Sequence, residues 1–446
     1  MKNTLTMFDR LLLVLSVCGL IALALIYGAA AIHYQLPLSQ SFANAFSAAD
    51  ALRAEWLLER EELPDNIRND HANRNAYIVQ NAKTAWDKDR AYSGYTLITT
   101  GYLGSPYLVD MEGKVVHHWK VPYSEIWDSA ICTNPLSKSD VFADGAYLYP
   151  NGDVLVNYGD AVIAAPYGCG IVKVDKDSKI LWVYKAATHH DLTVDRDGNI
   201  YVLTRKTVTK PPSGFEGLVY PMSDDVIVKL SPEGKELESI SLLDAFHGTP
   251  FALMMFHGKE NGDTLADFFH TNSVDVLPPD MAEKFSSFKA GQILVSMRSP
   301  NALAVIDPQT HKVVWAYRGF WEYQHAASFL ANGHIMVLDN WGHVEYKKTY
   351  SRVIEFDPVT LQTKWHFAGS RDQPFYVSMA GRLQRLPNGN TLIGESGNSR
   401  IFEITPEGRI VWSYILQKTP RRNEFADAIF TSVRFTHDQL PFLRKP

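Results

Sequence analysis

From Tyr95 onward the chain alternates apolar and polar residues in short runs broken by polar turns. A period of two marks half-buried strands. Two kinds of segment recur. One is a hairpin that usually closes on an aromatic residue. It reads "YLVDMEGKVVHHW", "IVKVDKDSKILWVY", "VIVKLSPEGKELESI", "LAVIDPQTHKVVWAY", "VIEFDPVTLQTKWHF" and "IFEITPEGRIVWSY". The other is a strand, a polar turn and a second strand, as in "YLYPNGDVLV", "LTVDRDGNIYV", "SFLANGHIMVL" and "RLQRLPNGNTLIG", with a longer version from "SVDVLPPD" to "GQILVS". The turns use Asn-Gly, Asp-Gly and Pro, which supply positive φ or fix φ at hairpin tips.

Six copies of the first segment predict six four-stranded units. Unit starts at Tyr147, Leu192, Ser273, Ser328 and Leu383 are separated by 45, 81, 55 and 55 residues. A propeller blade takes roughly 40–50. The insertions "KTVTKPPSGFEGLVYPMSDD" and "DAFHGTPFALMMFHGKENGDTLADF" account for the long gap. No helical period lies between the strands, which argues against parallel βαβ units. The expected fold is all-β: a six-bladed β-propeller over residues 91–446, closed by strands from the two ends of the repeat region.

The first ninety residues have a different pattern. Leu11 to Ile32 is uncharged and long enough to span a bilayer as one helix. Lys2 and Arg10 precede it, and the next basic residue is Arg53. That bias places residues 1–10 in the cytoplasm, 11–32 as a transmembrane signal-anchor of the inner membrane, and the body in the periplasm. Ala29-Ala30-Ala31 keeps a cleaved signal peptide open as the alternative, with an apolar region longer than the usual ~7–15 residues. Both readings export the body. Residues 33–90 read as a helical stalk and linker, because Phe42, Phe46, Ala49, Leu52, Trp56 and Leu57 fall near one helical face.

The formal net charge of −6 and the scattered basic residues exclude nucleic acid as the main partner. A homo-oligomer is compatible with the composition. Cys18 lies in the anchor, and Cys132 and Cys169 lie in loops of the exported part, where an oxidising compartment permits a bond between them.

Residues just before each unit's first strand should ring the channel mouth. "THHDLTV" places His189 and His190 there, "FFHTNSVDV" places His270 and Asn272, and "EYQHAASFL" places His325. Arg298 follows the inner hairpin of the middle unit. A single histidine at a strand end is usually an ordinary polar residue. Three converging on one axis beside an arginine and an asparagine suggest a site. His247 and His257, in the long insertion, are within possible reach of the channel.

Three histidines could hold Zn²⁺, but Arg298 would repel a cation and Asp191 is the one carboxylate in the cluster. "DRDGN" lacks the glutamate that ends a calcium loop. No metal or cofactor is therefore expected. Arginine, asparagine and protonated histidine suit an anion, and a neutral histidine can serve as nucleophile or base. The chain has no P-loop and no kinase-type glycine loop, which argues against nucleotide phosphate chemistry.

Together "HHDLTVDRDGNIYV", "HTNSVDVL", "ILVSMRSPNALAVID", "QHAASFLANGHIMVLDN" and "RLQRLPNGNTLIGESGNSRIFEITPEGRIVWSY" resemble the bacterial arylsulfotransferases, over roughly Tyr95 to Phe435. These are exported β-propeller enzymes that move sulfuryl groups between phenols without a nucleotide sulfate donor. The resemblance implies a sulfohistidine at His325, support from His270 and His190, and anion contacts from Asn272 and Arg298. It implies an aryl sulfate donor, a phenolic acceptor and a ping-pong cycle. The N-terminal region does not match the family's usual N-terminal β domain. Two other classes stand beside this reading. One is a catalytically silent, membrane-anchored propeller scaffold. The other is a quinoprotein-type or lactonase-type propeller, for which the repeated tryptophan docking motifs or acidic calcium cradle are not evident in the sequence.

Overall fold

The computed structural model describes residues 82–101, 105–121, 126, 141–160, 168–218, 220–256, 267–340, 351–370, 373–377, 379–416 and 428–444, together with Gly19, Leu23, Ile26 and Tyr27. The chain divides into two compact units, Met1–Glu61 and Glu62–Pro446. In the first, the four described residues are helical and exposed. The rest of the expected anchor and the helical stalk face lie outside the described residues. Among the described residues no helix is long and apolar enough to cross a membrane.

The second unit is built from six antiparallel sheets. Blade 1 has Ile429–Phe435 innermost, followed outward by Tyr95–Thr100, Tyr107–Val109 and Val115–His118. Blades 2 to 6 each follow chain order from the centre. Their innermost strands are Val141–Leu148, Thr188–Val194, Thr271–Val276, His325–Phe329 and Arg382–Arg385. The expected closure is present: the last strand pairs with Tyr95–Thr100, from Tyr95 opposite Phe435 to Thr100 opposite Ile429. Gly94 begins this seam, where a Cβ would sit 2.0 Å from the Phe435 carbonyl oxygen. The seam leaves no room for a side chain.

Lys83–Trp86, within the stretch read as stalk and linker, forms a fifth strand on the outer edge of blade 6. Its four residues were too few to show a strand period. The first strand of blade 2 also begins earlier than its pattern implied, at Val141 rather than Tyr147.

Apolar faces of neighbouring sheets bury against each other. Leu155, Ile171, Ile200, Val202 and Leu230 are shielded between blades 2 and 3. This area, removed from water at about 25 cal/mol per Å², is the main attraction between blades. Tryptophan side chains add directed links. The indole N–H of Trp182 donates to Pro232 O, that of Trp365 to Pro406 O, and that of Trp412 to Met111 O, each on a turn of the next blade. Interblade tryptophan contacts are therefore present, and Trp182, Trp365 and Trp412 hold the same position in their hairpins.

At the centre, side-chain oxygens join one innermost strand to the next by accepting backbone N–H groups. Thr431 accepts from Ala146, Asp144 from His190, Asp191 from Val274, Ser273 from Ala327, and Asp275 from Phe329. The ladder gives buried carboxylates a structural reason to exist. Burial pushes both Asp144 and Asp275 up to about 7, against the backbone donors.

Candidate active site

The innermost strands of blades 2, 3, 4 and 5 each carry a β-bulge near the channel mouth. A bulge inserts extra residues and re-aims side chains. By pairing register His325 corresponds to His189 and Thr271, opposite Leu338, Leu203 and Met297 respectively. The three histidines chosen from sequence are thus not strictly equivalent. Bulges of unequal size bring them together nonetheless. His190, His270 and Ala326 have φ of 54°, 47° and 53°. Left-handed backbone at non-glycine residues costs about 1–3 kcal/mol each and collects at functional sites.

His190 and His270 meet edge to face, with ring centroids 4.9 Å apart. The backbone N–H of Arg298 donates to His270 O at 3.1 Å, so Arg298 leaves the sheet beside His270. Its guanidinium lies 4.3 Å over the ring of Tyr323, two residues before His325. Asn272 Nδ2 donates to Gln324 O at 2.7 Å and so ties blade 4 to the start of blade 5. Its Oδ1 is buried with no hydrogen-bond partner among the described residues.

His325 is the most tightly specified of the group. Its Nδ1 lies 2.8 Å from Tyr323 O and 2.8 Å from Asn340 Oδ1. Asn340 cannot turn its amide nitrogen to the ring, because Nδ2 donates to Val377 O and Ala380 O. Two acceptors at Nδ1 require the proton there, which leaves the lone pair on Nε2. Burial, then the Arg298 charge, push His325 down to about 3, although Asn340 opposes them. The ring is a neutral base at neutral pH.

His270 Nδ1 lies 2.5 Å from Asp267 Oδ2. Asp267 in turn meets Arg205 at 3.1 Å, and Arg205 Nε donates to Asp225 at 3.0 Å. Asp225 also faces His189 Nε2 at 3.7 Å and accepts the Thr271 N–H. His189 Nδ1 lies 2.9 Å from His190 Nδ1. Burial, then the charge on His270, hold His190 well below the usual imidazole range. For His189 the causes are burial, then Arg205. Each of His190, His270 and His325 therefore has Nδ1 engaged by the scaffold. Among the described residues, no group of three or more His, Cys, Asp and Glu side chains could hold a metal ion.

One side chain bridges the channel. Arg382, on the innermost strand of blade 6, donates to Asp191 of blade 3 at 2.6 Å, to His190 O at 3.3 Å and to Phe430 O at 2.9 Å. In a six-fold ring, blades 6 and 3 are opposite, so this side chain crosses the axis. Phe142 and Phe430 stack with centroids 4.6 Å apart on the blade 1 and 2 side.

Sequence reasoning missed Asp144, Asp267, Tyr323, Asn340 and Arg382. Arg382 and Asp144 obey the rule used to find the histidines, lying on or just ahead of the inner strands. Asp267 stands three residues before His270 at the end of an insertion without periodicity. Nothing in the pattern marked it, or Asn340. His247 is exposed, caps the helix Leu242–Phe246 and packs on Phe215, so it is not part of the cluster. His257 lies outside the described residues. Cys169 is buried and disulfide-bonded, and Cys132 lies outside the described residues.

No curated protein sequence matches the chain. Among solved structures, a protein of unknown function from Bacteroides caccae is similar at 14% identity and TM-score 0.48, over 76% of this chain and 98% of that one. A streptogramin B lyase is similar at 14% identity and TM-score 0.40, over 78% and 91%. A virginiamycin B lyase from Staphylococcus aureus is similar at 11% identity and TM-score 0.39, over 77% and 90%. These likenesses are too distant to carry an argument about activity. The arylsulfotransferase (ASST) profile matches residues 145–417, which is more than half of the sequence and covers every candidate site residue from His190 to Arg382. The chain belongs to the arylsulfotransferase family.

Proposed function

We propose that this protein transfers a sulfuryl group from an aryl sulfate to a phenolic acceptor through a covalent sulfohistidine at His325, with no nucleotide sulfate donor. Family membership supports sulfotransferase activity in general. The observation that carries the finer reading is the double hydrogen bond at His325 Nδ1, which leaves Nε2 with its lone pair.

In the first half-reaction Nε2 attacks sulfur, the N–S bond forms and the S–O bond to the aryl group breaks. The departing oxygen takes a proton from His270. Nδ1 keeps its own proton throughout, so His325 later departs as neutral imidazole, a far better leaving group than imidazolate. Arg298 offers a planar donor fork to the sulfuryl oxygens as negative charge spreads over them. Asn272 has one amide hydrogen committed to Gln324 O and another to offer an oxygen. In the second half-reaction a phenol gives its proton to His270 and takes the sulfuryl group.

With Arg382 bonded to Asp191 across the axis, donor and acceptor would share one mouth, which suits a ping-pong order, since the first phenol must leave before the second enters. The stacked Phe142 and Phe430 would form the wall for the aryl ring and exclude water. We place this body in the periplasm, held by the Leu11–Ile32 helix, from the charge bias around that segment. The test is a rapid quench with an aryl sulfate and no acceptor, followed by peptide mapping. Sulfuryl mass on the His325 peptide supports the reading. Its absence, or a label elsewhere, overturns it and leaves the scaffold alternative.

A further inference from the structure

We propose that Asp267 is a positioning residue that fixes His270 as the proton carrier of the transfer reaction, an inference that rests on the sulfotransferase reading above. Asp267 never meets substrate in this role. It acts by holding the Nδ1 proton of His270, which turns Nε2 into the nitrogen that gives and takes protons.

Three observations carry this. First, the contact is short and directed, 2.5 Å from His270 Nδ1 to Asp267 Oδ2. Second, the carboxylate is itself fixed. Its other oxygen meets Arg205, whose side chain is fully buried, and Arg205 is anchored by Asp225. Burial works to raise the Asp267 carboxyl, but His270 and Arg205 outweigh it and hold it far below the usual range. Third, the scaffold behind that carboxylate is fixed in turn, since Asp225 accepts from Arg205 Nε and from the Thr271 N–H. The other histidines near it, His190 and His325, are held neutral. His270 is thus the histidine of the three whose Nδ1 faces a carboxylate.

The proton balance is closed. Imidazolium His270 gives its Nε2 proton to the departing phenolate and becomes neutral, keeping Nδ1–H on Asp267. The acceptor phenol then returns a proton to Nε2 as its oxygen bonds to sulfur and the N–S bond breaks. No other reactant is needed.

Asp267→Asn tests the assignment. Arg205 demands an acceptor, so the Asn oxygen should face Arg205 and its NH₂ should face His270 Nδ1. That forces the proton to Nε2 and disfavours the cation; giving up that proton would leave an imidazolate, so the ring is a poor acid in the first half-reaction and no base in the second. Single-turnover sulfurylation of the variant is compared for 4-nitrophenyl sulfate, phenyl sulfate and 4-methoxyphenyl sulfate. Nitrophenolate leaves without a proton and should lose only a few-fold. The two poorer leaving groups should lose on the order of 10²–10³, within the range of general acid catalysis. An equal loss for all three donors means a structural role and overturns the proposal. ¹⁵N imidazole spectra of the wild-type protein give a readout independent of both turnover and the variant's folding. His270 should carry its proton on Nδ1; an unprotonated Nδ1 overturns the proposal. A wild-type protein that turns over no donor, yet shows this tautomer, overturns the sulfotransferase reading rather than the Asp267–His270 pairing.

Discussion

Oδ1 of Asn340 lies 2.8 Å from Nδ1 of His325, while its amide nitrogen bonds two carbonyls of the segment leading into blade 6. The amide therefore has one orientation, and the imidazole one tautomer. Replacing Asn340 with Leu keeps the bulk and removes the acceptor, leaving Tyr323 O alone at Nδ1. The expected result is a sulfurylation rate about 10–100-fold lower, the usual cost of losing a partner that orients a reacting histidine. Donor affinity, read from the concentration dependence of the same single-turnover experiment, should stay within two- to three-fold, an approximate bound for a group that does not touch substrate. A change in affinity alone would show that Asn340 shapes the pocket instead.

Arg298 stacks on Tyr323 while lying close enough for its charge to act on His325. A lysine would keep the charge but lose the planar fork and the stacking. Arg298→Lys should lower turnover by about 10²–10³, as removal of one preorganised donor does. Steady-state kinetics with 4-nitrophenyl sulfate check this. Unchanged values would remove Arg298 from the site.

His325 makes stability depend on pH in a defined direction. Burial and the Arg298 charge push its pKa down to about 3, below the ordinary imidazole value of about 6.5. Between those limits the unfolded chain binds a proton that the folded chain refuses, so the protein loses stability as pH falls. The loss approaches about 1.4 kcal/mol per pH unit. Asp144 and Asp275, pushed up to about 7, act in the opposite sense. Their contribution is present below the ordinary carboxylate range and is lost as pH rises through 7. The difference between wild type and His325→Asn isolates the histidine. In urea titrations that difference should favour wild type less at pH 4.5 than at pH 6.5. A constant difference would show that His325 titrates normally.

The compartment is testable apart from the chemistry. A reporter fused at Pro446 that is active only in the cytoplasm should remain silent. Thiol counting after denaturation without reductant should find Cys18 free and Cys132 and Cys169 blocked. A cytoplasmic signal, or three free thiols, would contradict export.

The blade repeat was legible because its physics is local. Strands with one face buried must alternate, and hairpin tips need residues that accept unusual φ. Six recurring hairpins, five of them ending on an aromatic, therefore announced six sheets, and the leftover strands at the two ends announced the closure later seen between Ile429–Phe435 and Tyr95–Thr100. His190, His270, Asn272, Arg298 and His325 were visible for the same reason. They sit at or beside strand ends whose positions the repeat defines. What the repeat could not define was how the bulges aim those side chains. By register His189 matches His325, yet His189 turns to Asp225 while His190 meets His270. Ring tautomers depend on Asn340 and Asp267, which approach from another loop and from the end of an insertion. Arg382 bonds Asp191 across 191 positions of sequence. Periodicity reports which face of a strand is buried. It carries no information about which distant oxygen will stand beside a given nitrogen, because only the closed ring brings those atoms within hydrogen-bond reach.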